Sequence, residues 1–172
     1  CGDFYGCVPG HVIECADAEQ AYAQAKLKGT PTWIRLPKDR WPQEWIDKKM
    51  KDPVVPLHLA LYGHPDAGGH WERHCESHLL SVGFTPVKEW RSCYWHEELK
   101  LFLVVYVDDF KLAGPKENLA KGWEKIKAGV TLGDVEPVGL YLGCKHHVFD
   151  AVSPYTGLPV RAIEYDMEDF LG

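Results

Sequence analysis

The sequence predicts an α+β domain, antiparallel strands with helices inserted between them, on three observations. Residues 99–114 read LKLFLVVYVDDFKLAG: a seven-residue run of leucine, aromatic and β-branched side chains from Leu101 to Val107, the adjacent acids Asp108 and Asp109, and a second apolar stretch. That is strand, acidic tight turn, strand. Between residues 66 and 82, Ala67, Trp71, His74, Cys75, His78, Leu79 and Val82 recur at steps of three and four, which is the period of a helix with one apolar stripe. Near the end, residues 139–149 and 158–165 form two strand-like runs joined by a Ser-Pro-Tyr-Thr-Gly turn.

The remaining elements follow in order. Residues 10–16 form a short strand that delivers Asp17 to its end, and AEQAYAQAKL after it carries helix formers closed by Gly29. Residues 32–36 (TWIRL) read as a strand stopped by Pro37. Residues 43–50 read as a short helix, and residues 52–56 as a proline-punctuated connector. Gly83 caps the long helix. Val87 and residues 93–95 belong to further strands, and Glu97-Glu98 turn the chain into the strand at Leu99. Pro115 opens a helix that runs to about Ala128, before Gly129. Neither a repeat nor a low-complexity tract interrupts the pattern, and residues 1–172 are expected to form a single domain.

Composition narrows the function. With 172 residues and 45% hydrophobic side chains, the chain can bury one core. No apolar run approaches the roughly 20 residues of a membrane helix and no signal peptide opens the chain, so the expectation is an intracellular protein, cytoplasmic or nuclear, without a membrane partner. A chain that begins at Cys1 reads as a segment of something longer. The six cysteines show no C-x-x-C pair and are expected to be free thiols. A net charge of −6 argues against this segment gripping a nucleic-acid backbone unaided.

Four groups could carry chemistry. Asp17, Asp108 and Asp109 each sit at the end or turn of an apolar strand, and their carboxylates meet if those strands are neighbours. Adjacent acids at one hairpin tip have a divalent cation as their natural partner, while the plainer reading is a solvated turn. His70, His74, Cys75 and His78 lie along one side of a helix; a single ridge suits packing better than the tetrahedron that zinc requires. His146 and His147 alternate across a strand and cannot both face one ion. Lys116, Lys121, Lys125 and Lys127 could meet a triphosphate, although Glu117 and Glu124 among them favour a solvated face.

Tyr106-Val107-Asp108-Asp109 resembles the Tyr-x-Asp-Asp box of reverse transcriptases, and companion stretches stand around it in the order of the copia-type (Ty1/copia) retrotransposon enzymes. Asp17 to Tyr22 is similar to the family's Asp-x-x-x-Ala-aromatic motif. Residues 32–37 resemble its following proline-ended strand, and Leu61-Tyr62-Gly63 with Ala67 and Trp71 resembles its Leu-Tyr-Gly…Trp segment. Gly83-Phe84 follows, and Tyr141-Leu142-Gly143 resembles the aromatic-leucine-glycine turn near the primer grip. The resemblance covers about residues 10–171.

It implies a reverse-transcriptase-like palm, with fingers and thumb largely missing, that carries RNA-directed DNA polymerase activity. By the same resemblance Asp17, Asp108 and Asp109 are catalytic and hold two magnesium ions, while Tyr22 (the gate against a ribose 2′-hydroxyl) and Tyr106 bind substrate. The implied partners are an RNA or DNA template with its primer, deoxynucleotide triphosphates, and the fingers, thumb, ribonuclease H and integrase portions of a polyprotein. Where the family has lysine, glutamine, proline and arginine, this chain has Pro65, Asp66, Gly68 and Gly69, and an acid there repels a triphosphate. The alternative is therefore a catalytically inactive relic that acts at most as a structural or interaction module.

Overall fold

A computed structural model describes residues 2–168. Residues 169–171, the last that the resemblance covers, lie outside the described residues. The chain forms two compact units, residues 1–21 with 75–172, and residues 22–74.

The larger unit holds a six-stranded antiparallel sheet. Its strands are β1 (His11–Asp17), β4 (Phe84–Pro86), β5 (Cys93–His96), β6 (Leu101–Tyr106), β7 (Asp109–Pro115) and β8 (Glu136–Pro137), in the order β4-β5-β6-β7-β1-β8. Residues opposite each other across antiparallel strands share a face and successive residues alternate, so the register sorts the side chains into two sets. Leu103 opposes Leu112, which opposes Glu14, and Val105 opposes Phe110, which opposes Ala16. This face carries the core: Leu101, Leu103, Phe110 and Leu112 are completely buried there.

Helix α5 (Lys116–Lys127) covers that face with Leu119, Trp123 and Ile126. Its Gly122 sits so near the sheet that a Cβ would lie 2.4 Å from Leu101 Cδ1 and 3.1 Å from Leu112 Cδ2. The Trp123 indole donates to Glu14 Oε2 at 2.7 Å, which satisfies the one acid on this face of β1. The second half of α4 (Ala67–Ser81) belongs to the same unit, and His78 lies 3.0 Å from the Lys125 carbonyl. The opposite face is covered by a short helix α1 (Gly2–Gly6), where Gly6 lies against Ile13, and by a three-stranded sheet of β9 (Leu140–Tyr141), β10 (Cys144–Val152) and β11 (Pro159–Asp166). Covered on both sides, β7 is buried from Phe110 to Gly114 without alternation.

The smaller unit is built on a two-stranded ribbon of β2 (Trp33–Arg35) and β3 (Val54–Pro56), extended by a bridge between Lys26 and Leu59. It also holds all but the first residue of α2 (Ala21–Gln24), α3 (Gln43–Asp47) and the first half of α4.

The α+β class stands, with an antiparallel sheet and packed helices. Several elements differ from expectation. The helix formers after Asp17 yield only the four residues of α2, because Gln20 turns the chain at φ 48° and Lys26 is already bridged to Leu59. The connector at residues 52–56 contains β3, whose one proline, Pro56, a two-stranded ribbon tolerates. Val87 lies outside the strands, and the strand expected at Leu99 begins at Leu101 after Lys100 at φ 52°. The expected Asp108-Asp109 turn is displaced by one residue: Tyr106 pairs with Asp109, which leaves Val107 and Asp108 as the two-residue loop. Among the described residues no helix is long and apolar enough to cross a membrane.

Candidate functional site: an acidic edge on the open face

The β1–β7 register settles where the distant acids go. Seven consecutive pairs run from His11–Pro115 to Asp17–Asp109, so Asp17 is the direct cross-strand neighbour of Asp109. Tyr106 opposes Asp109 from the other side, which puts Tyr106, Asp109 and Asp17 in one row on the face away from α5. Asp108 stands at the turn beside them, and its carbonyl accepts the Ala18 N–H at 2.7 Å, extending the ladder past Asp17. The end of β1 is fixed from its other flank as well: Gly133 N–H donates to the Asp17 carbonyl at 2.9 Å, and Ala18 bridges Leu132.

The turn itself is strained. Val107 has φ 55°, a region that a β-branched residue rarely adopts, at the first position of a two-residue hairpin loop. Its side chain gains little in return, being 40% exposed.

Electrostatics mark the same row. Burial, the charges of Asp17 and Asp108, and a side-chain hydrogen bond with Asp17 push the Asp109 carboxyl up to about 6. Two facing acids that share a proton are short of positive charge. Lys111, the next residue along this face of β7, is committed elsewhere, to Asp3 of α1 at 2.9 Å. An open hollow of about 330 Å³ adjoins Asp17 and is lined also by Asp134 and Glu136.

The donors at this edge are all hard carboxylate oxygens, and the charge they leave uncompensated fits a divalent cation of the magnesium class better than a metal that prefers nitrogen or sulfur. Among the described residues, however, no three His, Cys, Asp or Glu side chains form a ready-made metal cage. The observed arrangement is an acid pair with a third acid at the adjacent turn.

Tyr22 belongs to the smaller unit, where its ring packs on Tyr62 with centroids 4.5 Å apart. Asp66 is exposed, and its backbone N–H donates to His64 Nδ1 at 3.1 Å. In the histidine ridge, His70 lies 3.1 Å from an Arg73 guanidinium nitrogen, and His78 is held by the Lys125 carbonyl. His146 is buried near Asp3 while His147 lies 3.9 Å from Asp166, so these two do face opposite ways. Lys116, Lys121 and Lys127 are exposed, and Lys127 Nζ donates to the Gly133 carbonyl at 3.0 Å.

Sequence reasoning missed Asp3 and Lys111, which form the buried ion pair on the acid-bearing face. A lysine inside an apolar strand run was the available signal. Compared with protein-family models and with curated proteins, the chain matches none.

Proposed function

We propose that the acidic edge is the cation-holding centre of a reverse-transcriptase palm of the copia type, an RNA-directed DNA polymerase. One observation carries the proposal: the antiparallel register makes Asp17 and Asp109 neighbours although 92 positions separate them. Asp17, Asp108 and Asp109 would hold two magnesium ions, which when bound activate a primer 3′-hydroxyl and stabilise the leaving pyrophosphate. For the chain's own residues, the ladder around Ala18 and Asp108 keeps the two strand ends in register. Asp109, whose carboxyl is pushed up by burial and by the charges of Asp17 and Asp108, must release its proton before it can act as a ligand, so cation binding would weaken as pH falls. Tyr106, 60% exposed beside Asp109, offers its ring to the incoming nucleotide or primer end. The template, primer and deoxynucleotide triphosphates are the partners, with the other polyprotein portions completing the enzyme.

The exposed Asp66, in a position where the family carries a nucleotide-contacting glutamine, favours a second reading: a palm that keeps the fold without the activity. Magnesium-dependent primer extension by the full-length protein, with Asp108→Asn as control, separates the two. Extension lost by at least a hundredfold in the variant supports the polymerase; extension indifferent to magnesium or to Asp108 refutes it.

A further inference from the structure

The three-stranded sheet has one edge left unpaired, and the reaction above gives it no part. In the order β11-β10-β9, β11 pairs with β10 from Pro159 to Asp166 and has no strand on its other side. One bond sets the phase of the ladder: the Ser153 N–H donates to the Leu158 carbonyl at 2.9 Å, one step beyond the Val152–Pro159 pair. Bonded and unbonded pairs alternate in an antiparallel ladder. Val160, Ala162 and Glu164 therefore turn their backbone groups toward β10, and Arg161, Ile163 and Tyr165 turn theirs outward. His146, which opposes Tyr165, agrees with this phase, because its N–H points away from β11 to the Gly139 carbonyl at 2.7 Å. Among the described residues, no backbone group bonds the outward N–H and C=O groups of Arg161, Ile163 and Tyr165. Such a row is a template for one more strand.

A hollow of about 660 Å³ lies along the start of this edge, the size of a ligand pocket rather than of a packing defect. Phe4, Val8 and Pro9 form one wall, and Pro159, Val160 and Arg161 the other. Phe4 on the short helix α1 is 84% exposed and Val160 is exposed as well, so apolar surface stands open on both sides. The charges nearby differ in their commitments. Arg161 donates to the His11 carbonyl at 3.0 Å and has its Nε 3.6 Å from an Asp150 carboxylate oxygen. Glu164, exposed on the other face of β11, has no ion-pair partner among the described residues; the ring of His147, its neighbour in the register, lies 3.9 Å from Asp166 instead.

We propose that this edge is a docking site for an extended segment of another protein, added as an antiparallel strand with a lysine or arginine facing Glu164 and large apolar side chains at the third and fifth positions after it. Those two positions face Arg161 and Pro159, and residues opposite each other share a face, so their side chains enter the hollow. The second position after the cation faces Ala162, beside Phe149 on the other face, and is apolar too. Main-chain bonds to Arg161, Ile163 and Tyr165 supply affinity, while the hollow and Glu164 supply selection. Charge complementarity separates this occupant from a second copy. Two β11 strands joined edge to edge about a two-fold axis keep each face continuous, so Glu164 meets an even-numbered residue of the copy, and residues 158, 160, 162, 164 and 166 include no cation. Each copy also carries a net charge of −6.

The probe is a blocked, fluorescently labelled peptide, Thr-Thr-Lys-Thr-Val-Leu-Thr-Leu-Thr, titrated with the 172-residue chain and followed by anisotropy. One-to-one binding is expected. N-methylation reads the register: at the first or third residue after the lysine, whose N–H groups face Ile163 and Arg161, it should weaken binding at least about tenfold, and at the second, whose N–H points away, less than about twofold. Replacing the last leucine by alanine should cost roughly tenfold. Glu164→Lys should weaken the lysine peptide about two- to fivefold and favour a peptide with glutamate in its place by a similar factor. Ile163→Pro removes an outward N–H and no bond to β10, a change that an edge strand tolerates, and should weaken binding at least about tenfold. Should that variant fail to fold, the N-methyl series and the charge exchange still decide. Absence of binding, equal binding of the three N-methylated peptides, or a charge exchange without effect overturns the proposal. So does a concentration-dependent dimer in sedimentation equilibrium that Ile163→Pro dissolves, since a second copy is then the occupant.

Discussion

Replacing Asp17 with asparagine removes one of two facing carboxylates and leaves Asp109 as the reporter. In the wild type, burial, then the charges of Asp17 and Asp108, then the hydrogen bond with Asp17 move Asp109 from 3.8 up to about 6. The folded chain thus holds this proton more tightly than the unfolded chain does. The associated stability is complete below pH 3.8 and is lost as pH rises through about 6. Taken at full weight the shift is worth about 3 kcal/mol. Asp109 is part-exposed, so solvent screening reduces this to about 1–1.5 kcal/mol. The burial contribution survives the substitution, and the variant should therefore recover about 0.5–1 kcal/mol at pH 7.5 and nothing at pH 4. Magnesium should act on the wild type in the same direction: at ten times its dissociation constant, binding to the folded state alone adds about 1.4 kcal/mol, and the variant gains less. Urea unfolding between pH 4 and 8, with and without magnesium, measures both effects, and carbon-13 titration of the aspartate carboxyls reads Asp109 itself. A difference between the two proteins that is flat from pH 4 to 8, or magnesium stabilising both equally, would refute the shared-proton pair.

Two further outcomes follow from the backbone. Gly122→Ala gains about 1 kcal/mol of helix propensity but forces a Cβ into Leu101 and Leu112, so a net loss of about 1–2 kcal/mol is expected, seen as a lower urea midpoint at unchanged slope. Val107→Gly relieves a left-handed β-branched residue at a cost of about 0.5–1 kcal/mol in unfolded-state entropy, and a net gain near 1 kcal/mol is expected; destabilisation would show that the turn is not strained.

The elements readable in the sequence are those whose burial leaves a periodic trace. The apolar run of β6, the stripe of α4 and the amphipathic α5 each bury one face against a core, and β10 and β11 are bounded by turn residues. What could not be read has no period of its own. Helix α1 has five residues and β8 has two, and both exist because they pack on or pair with β1. Helix formers between Ala18 and Leu27 lost to a tertiary constraint, the pairing of Lys26 with Leu59. The one-residue displacement of the hairpin turn had a similar origin: a two-residue loop matches the twist of its strands, even when it forces Val107 to positive φ.

The candidate site divides along the same line. That Asp17, Asp108 and Asp109 end or interrupt apolar strands is written in the sequence; that Asp17 faces Asp109 is a property of register, which side-chain patterning specifies only once the partner strand is known. Lys111 and Asp3, 108 positions apart, met for the same reason. Two adjacent rows on one sheet face therefore carry buried or half-buried charge, and they resolve it differently. The inner row pairs Asp3 with the Lys111 ammonium, and the Tyr165 hydroxyl donates to the same carboxylate, so its charge is compensated as folded. The outer row sets two acids side by side and satisfies them only by holding a proton up to about pH 6. At neutral pH that proton leaves, and the row is left with a charge deficit that the inner lysine, already engaged, does not fill; the open edge is where an added cation gains most.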